Sequence, residues 1–174
     1  MRLRPMPALL LCASLLGCAT PPWQPQALAT GTTFLVVRHA EKADDGSRDP
    51  PLDAVGMARA QRLATALHAE PVVAVYATGY RRTQQTAAAT AADHALAVTA
   101  YAADLAAPEF AARLRSQHPS GTVVVVGHSN TAPGIAAALC DCTATPLGDA
   151  DYGRVYRIHV DAEGHPVLRE SILP

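Results

Sequence analysis

A three-layer α/β/α sandwich with a mainly parallel sheet is the fold class the sequence predicts, and three observations predict it. Short apolar runs alternate with amphipathic stretches across residues 32–174, the pattern of βαβ units. The runs "TTFLVV" and "TVVVV" carry little polar alternation, as expected of strands covered on both faces. Three runs also end abruptly in polar residues: Arg38-His39, Thr78 followed by Arg81-Arg82, and His128-Ser129-Asn130. Ligands of such sheets bind beyond the carboxyl ends of the strands, so these ends are expected to converge on one edge.

Each element can be justified in order. Thr32 to Val37 is a short β-branched-rich strand. From Leu52 the spacing of Leu52, Ala60, Leu63 and Leu67 becomes helical, with Arg59, Gln61, Arg62 and His68 on the other side and Asp53 placed to cap the start. "PVVAVYAT" (71–78) reads as a second strand, and the Ala-rich "RRTQQTAAATAADH" as a helix. Leu96 to Tyr101 is a weaker strand, and Pro108 to His118 a helix with proline near its first turn. "TVVVVGH" is the most apolar strand of the chain, and Pro133 to Leu139 opens the next helix. "GRVYRIHV" and "HPVLRESI", separated by "DAEG", read as a terminal β-hairpin.

Composition narrows the function. The chain has 174 residues, 49% hydrophobic and 17% charged, which suits one globular domain. A formal charge of −1 and only 5% aromatic residues leave no basic stripe or stacking platform for nucleic acid. At the N-terminus, Arg2 and Arg4 precede the apolar "ALLLCASLLG", a stretch short for a membrane span. It ends in "LLGC" at Cys18, which resembles the lipobox of bacterial lipoprotein signals. That resemblance implies a signal peptide over 1–17, a lipidated Cys18, and a protein exported to the periplasm and anchored to a bacterial (outer) membrane. Residues 18–31 are Pro-rich and read as a tether, with the domain proper over 32–174. Cleavage would remove Arg2 and Arg4 from 14 basic residues against 15 acidic ones, so an anionic ligand needs a local cluster of cations. Cys140 and Cys142 are then the cysteines left beside Cys18; a bridge across one residue closes a small ring and is expected to be incidental or labile.

Two histidines and two or three arginines at one sheet edge suit a phosphoryl group. Guanidinium forks match phosphate oxygens, and a neutral imidazole can carry the group covalently. The motifs "VVRHAEK", "TGYRRTQQTA" and "VVVVGHSN", in that order and each at a strand end, resemble those of the histidine phosphatase superfamily, the phosphoglycerate mutase-like fold. "PLDAVGMARAQRLA" is similar to that family's helix after the nucleophile loop. The resemblance implies a metal-independent phosphomonoesterase with no cofactor, acting on a small phosphorylated substrate or a phosphoprotein. His39 would be the phosphorylated nucleophile. Arg38 and Arg82 would grip the phosphoryl oxygens, His128 would complete the pocket, and Asn130 would help bind substrate. Arg81 is read as a surface cation and Glu41 as a partner for nearby arginines.

The sequence departs from the family pattern in its third motif, "GHS", so Ser129 cannot serve as the proton donor that an aspartate supplies in the acid-phosphatase branch. Asp104 is the candidate general acid, with Glu109 next. Two other readings stand beside this one. A relative could bind a phosphorylated ligand without turnover. Alternatively, "GHSNT" resembles the nucleophile elbow of α/β-hydrolases, with Ser129, Asp149 and His165 in the expected order; that reading leaves "VVRHAEK" unexplained.

Overall fold

The computed structural model describes residues 31–173. Residues 1–30, Cys18 included, lie outside the described residues, and so do the signal-peptide, lipidation and tether readings placed on them. Ten elements follow in chain order: β1 (Gly31–Arg38), α1 (Ala54–Leu67), β2 (Val72–Thr78), α2 (Arg81–Asp93), β3 (Val98–Tyr101), α3 (Ala107–Gln117), β4 (Gly121–Gly127), α4 (Ala132–Cys140), β5 (Arg154–Asp161) and β6 (Pro166–Ile172). They form one six-stranded sheet in the order β3-β2-β4-β1-β5-β6. The first four are mutually parallel, while β5 runs antiparallel to β1 and β6 antiparallel to β5.

The continuous valines of β1 and β4 have a simple cause. Phe34, Val36, Val123 and Val125 point to one face and pack with Phe110, Leu114, Ile135 and Leu139 of α3 and α4. Leu35, Val37, Val124 and Val126 point to the other and pack with Leu63, Leu67, Ala87 and Ala91 of α1 and α2. Both faces are covered, so neither parity can be polar. Each fully buried Val or Leu contributes roughly 1.5–3 kcal/mol, which makes these two strands the rigid floor of the molecule.

Register places the three flagged strand ends side by side. β1 and β4 pair through Arg38 and Gly127, and β2 pairs with β4 through Ala77 and Val126. His39, His128 and Thr78 therefore leave neighbouring strands at the same sheet edge.

Some boundaries moved for identifiable reasons. β1 begins at Gly31, paired with Asp161. Its φ is +142°, and a Cβ there would lie 2.2 Å from the Val160 carbonyl oxygen, so the chain enters the sheet on a residue only glycine suits. β3 begins at Val98 rather than Leu96, because the Leu96 N–H still bonds the Ala91 carbonyl of α2. Asp53 does cap α1, its carboxylate accepting from Gly56 N at 2.7 Å.

Candidate active site

His39 sits one residue past β1. Its backbone N–H extends the β1–β4 ladder by donating to the Gly127 carbonyl at 2.9 Å, and the residue is 4% exposed. Nδ1 lies 2.7 Å from the Ala40 carbonyl oxygen. A carbonyl only accepts, so Nδ1 carries the proton and Nε2 keeps its lone pair.

That ring is fixed through a chain of contacts. Ala40 N donates to Thr86 Oγ1 at 3.0 Å, and the Thr86 hydroxyl donates to the Arg82 carbonyl in α2. Behind it, α1 presses directly on the next residue: a Cβ on Gly56 would lie 2.1 Å from the Glu41 carbonyl oxygen. The Glu41 carboxylate accepts from Arg59 Nε at 2.9 Å, and this guanidinium lowers its pKa. Glu41 is thus a structural partner of an arginine, as its sequence context suggested.

His128, at the end of β4, meets His39 edge to face with ring centroids 5.4 Å apart. Its backbone N–H donates to Thr131 Oγ1 at 3.0 Å, and its Nε2 lies 3.0 Å from Thr78 Oγ1. The tautomer follows from proton counting. Thr83 spends its one hydroxyl proton on the carbonyl of Thr78 or Tyr80. Thr78 therefore gives its own proton to Thr83 Oγ1, 2.8 Å away, and its oxygen accepts from His128 Nε2–H.

Both imidazoles are held neutral. Burial pushes His39 down to about 4; the Ala40 carbonyl opposes this, and Arg82, His128 and Arg38 add to it. His128 is likewise pushed down to about 4, by burial first and then by Arg82 and Arg38.

Two guanidinium groups flank the histidines. Arg82 lies over the Tyr80 ring, its Cζ 4.4 Å from the centroid, and its Nη1 is 3.6 Å from Asp49 Oδ1. Arg38 is buried, with Nη1 donating to the carbonyls of Gly148 and Asp149. The Nε–H of each arginine is buried and has no hydrogen-bond partner among the described residues. Such donors cost free energy unless a ligand accepts from them.

A cavity of about 320 Å³ opens over the two histidines and Arg82, lined by His39, Lys42, Tyr80, Arg82, Ala103, His128, Ser129, Asn130 and Thr131. Arg38 is not among its lining residues and borders a separate narrow pocket with Tyr152. Asn130 thus lies where a substrate contact was expected. The cavity is lined by Ala103 and not by Asp104, which is exposed on the turn after β3. Glu109 is exposed in the first turn of α3 and pairs with Arg113. Arg81 is exposed. The serine-hydrolase triad is not assembled. His165 sits in the β5–β6 turn beside Asp161, and Asp161 pairs with Gly31 at the opposite end of β1.

Sequence reasoning missed Tyr80, whose ring stands edge-on to His128 at 5.3 Å, and the threonines that orient the histidines. Thr83, Thr86 and Thr90 recur on the buried face of α2, a helical spacing legible in "TQQTAAAT".

Residues 34–105 match the sequence model of the histidine phosphatase superfamily (branch 1). No curated protein sequence matches the chain. Solved structures do. The protein histidine phosphatase SixA, complexed with tungstate, superposes with a TM-score of 0.63 at 17% identity, over 80% of this chain and 96% of that one. Phosphoserine phosphatase from Entamoeba histolytica, in complex with 3-phosphoglyceric acid, gives 0.62 at 17% identity over 82% and 97%. A mycobacterial glucosyl-3-phosphoglycerate phosphatase gives 0.64 at 17% identity over 82% and 99%. The fold is that of the phosphoglycerate mutase-like histidine phosphatases. Within this histidine phosphatase fold the matched segment runs from β1 to the turn after β3, so it includes His39 and Arg82, whereas His128 enters the site from β4, beyond it.

Proposed function

We propose that the protein is a member of the histidine phosphatase superfamily that hydrolyses phosphate monoesters through a phosphoryl group carried on His39. The observation that carries this reading is a neutral, ring-anchored imidazole with Nε2 free, beside two guanidinium groups whose Nε–H donors are unsatisfied.

In the first step the Nε2 lone pair attacks phosphorus, an N–P bond forms and the ester P–O bond breaks. The leaving oxygen takes a proton, and Asp104 is the proposed donor, one residue from the cavity wall. Nδ1–H, bonded to the Ala40 carbonyl, stabilises the positive charge that develops on the ring. Arg38 and Arg82 hold the equatorial oxygens and supply positive charge without a metal. Bound phosphate dianion favours protonation of His128 at Nδ1, giving the pocket a further donor. Water then attacks the phosphohistidine, inorganic phosphate leaves, and His39 Nε2 regains its lone pair.

Substrate scope follows from space. A second hollow of about 700 Å³ shares Tyr80 and Ala103 with the phosphate cavity, which leaves room for a sizeable leaving group, small-molecule or protein-borne. Export and a lipid anchor at Cys18 are part of the same proposal. β1 begins at the sheet end opposite the site, so an N-terminal anchor is compatible with an open cavity.

Turnover of an aryl phosphate by the purified domain tests the reading. Activity insensitive to chelator, inhibited by vanadate, abolished in His39→Ala and retained in Ser129→Ala supports it. Tight phosphate binding without turnover would replace it with a binding protein.

A further inference from the structure

Arg38 is held by a segment that belongs to none of the three motifs. The connection from α4 to β5 folds back over the end of β1. There the carbonyl oxygens of Gly148 and Asp149 accept from Arg38 Nη1 at 3.1 and 2.9 Å. The ring of Tyr152 lies with its centroid 4.0 Å from Arg38 Cζ and 6.2 Å from the His39 ring. One corner of the guanidinium is thus taken by main chain and one face by an aromatic ring. The Nε–H remains, in a residue only 8% exposed.

We infer that residues 148–152 are a positioning clamp for Arg38, with Tyr152 as its principal side chain. The inference rests on the phosphatase reading above. An arginine side chain has high rotamer entropy, and its fork serves phosphate only when its plane is set. Ordering it during binding would weaken both affinity and turnover; ordering it beforehand removes that cost. The clamp uses carbonyls and a ring face, not a carboxylate, so the cationic charge stays available to a dianion.

The segment holds its own shape. Gly148 N donates to Asp151 Oδ2 at 2.8 Å, and the backbone N–H groups of Asp151 and Tyr152 bond the carbonyls of Gly148 and Ala150. Upstream, Tyr156 Oη donates to the Thr145 carbonyl and Thr145 N to Glu170 Oε1. The hydroxyl of Tyr152 makes no hydrogen bond among the described residues, so the ring face is what Arg38 uses.

The test compares Tyr152→Leu and Tyr152→Phe for aryl phosphate turnover, vanadate affinity and thermal midpoint. Tyr152→Leu should lower kcat/KM and vanadate affinity by about tenfold, between the scales of an exposed and a fully desolvated cation–π contact for a half-buried ring, with the midpoint little changed. Tyr152→Phe should restore both, since it keeps the ring. In an Arg38→Ala background the Leu substitution should have no further effect on vanadate affinity, because Tyr152 acts through Arg38. Equal behaviour of Leu and wild type, or an undiminished Leu effect without Arg38, would overturn the clamp alone. A wild-type protein that neither turns over aryl phosphate nor binds vanadate would overturn the phosphatase reading and the clamp with it.

Discussion

Neutrality of His39 and His128 has one dominant cause, removal from water, and it makes a testable statement about protons. Both are pushed from 6.5 down to about 4. Between those values the unfolded chain binds protons that the native site refuses. Stability from these groups is therefore fully present above about 6.5 and is lost as pH falls toward 4. In the free protein, the ring carbon-bound proton resonances of both histidines should stay unshifted from pH 8 to 5 and move near 4; titration at or above 6.5 would contradict the burial argument. A second prediction concerns Asp104, which is exposed next to the cavity wall. If it protonates the leaving oxygen, Asp104→Asn should slow alkyl phosphates by roughly tenfold or more and aryl phosphates far less, since acid catalysis matters most for basic leaving groups. Equal losses on both would remove Asp104 from that role. His39, His128 and Arg82 were legible from sequence because each follows a strand end within a motif. The fixing of Arg38 was not. Its partners are carbonyls 110 and 111 residues away, and a main-chain acceptor leaves no residue-type signature.

At the scale of elements, α4 carries chemistry at one end and a covalent closure at the other. Its start follows His128, Ser129 and Asn130; its last residue, Cys140, is bonded to Cys142. Between the cysteines Asp141 takes a left-handed conformation with φ +51°, and Cys142 N bonds the Ala137 carbonyl, so hydrogen bonding already terminates the helix. The two ends are about 14 Å apart for nine residues, and the Arg38 clamp is pinned by its own contacts. Replacing both cysteines with serine should leave turnover within about twofold. The stability loss should be small, ~1–2 kcal/mol on the loop-entropy account of so short a ring. A tenfold loss of turnover with the fold intact would show that the bridge reaches the site. Element positions were readable from apolar periodicity, and the N-cap of α1 from one aspartate. The late start of β3 was not, since it depends on a backbone bond from Leu96 to α2.

For the whole molecule, sheet order decides what meets what. β4 inserts between β2 and β1, and that crossover brings together histidines 89 positions apart in the sequence. Alternating strands and helices made the layered class legible, and the "DAEG" spacing made the final hairpin legible. Neither dictates strand order, which depends on how the crossovers pack. Gly31 enters the sheet at the end remote from His39, so tethering through Cys18 is compatible with an open site. If the proposed acyl anchor on Cys18 is what holds the protein at a membrane, Cys18→Ser should release folded, active protein from the membrane fraction into the periplasm, since several acyl chains together would supply that anchoring. Retention of the variant on the membrane would contradict the lipid anchor and leave the phosphatase reading untouched.

The central claim is a covalent bond between phosphorus and one nitrogen, and trapping it is the most direct measurement. Rapid acid-free quenching of the protein with a labelled phosphate ester, followed by peptide mapping, should place the label on His39 as an acid-labile, alkali-stable adduct. The adduct should form in Ser129→Ala and be absent in His39→Ala. Label on Ser129, or full turnover by His39→Ala, would contradict the account.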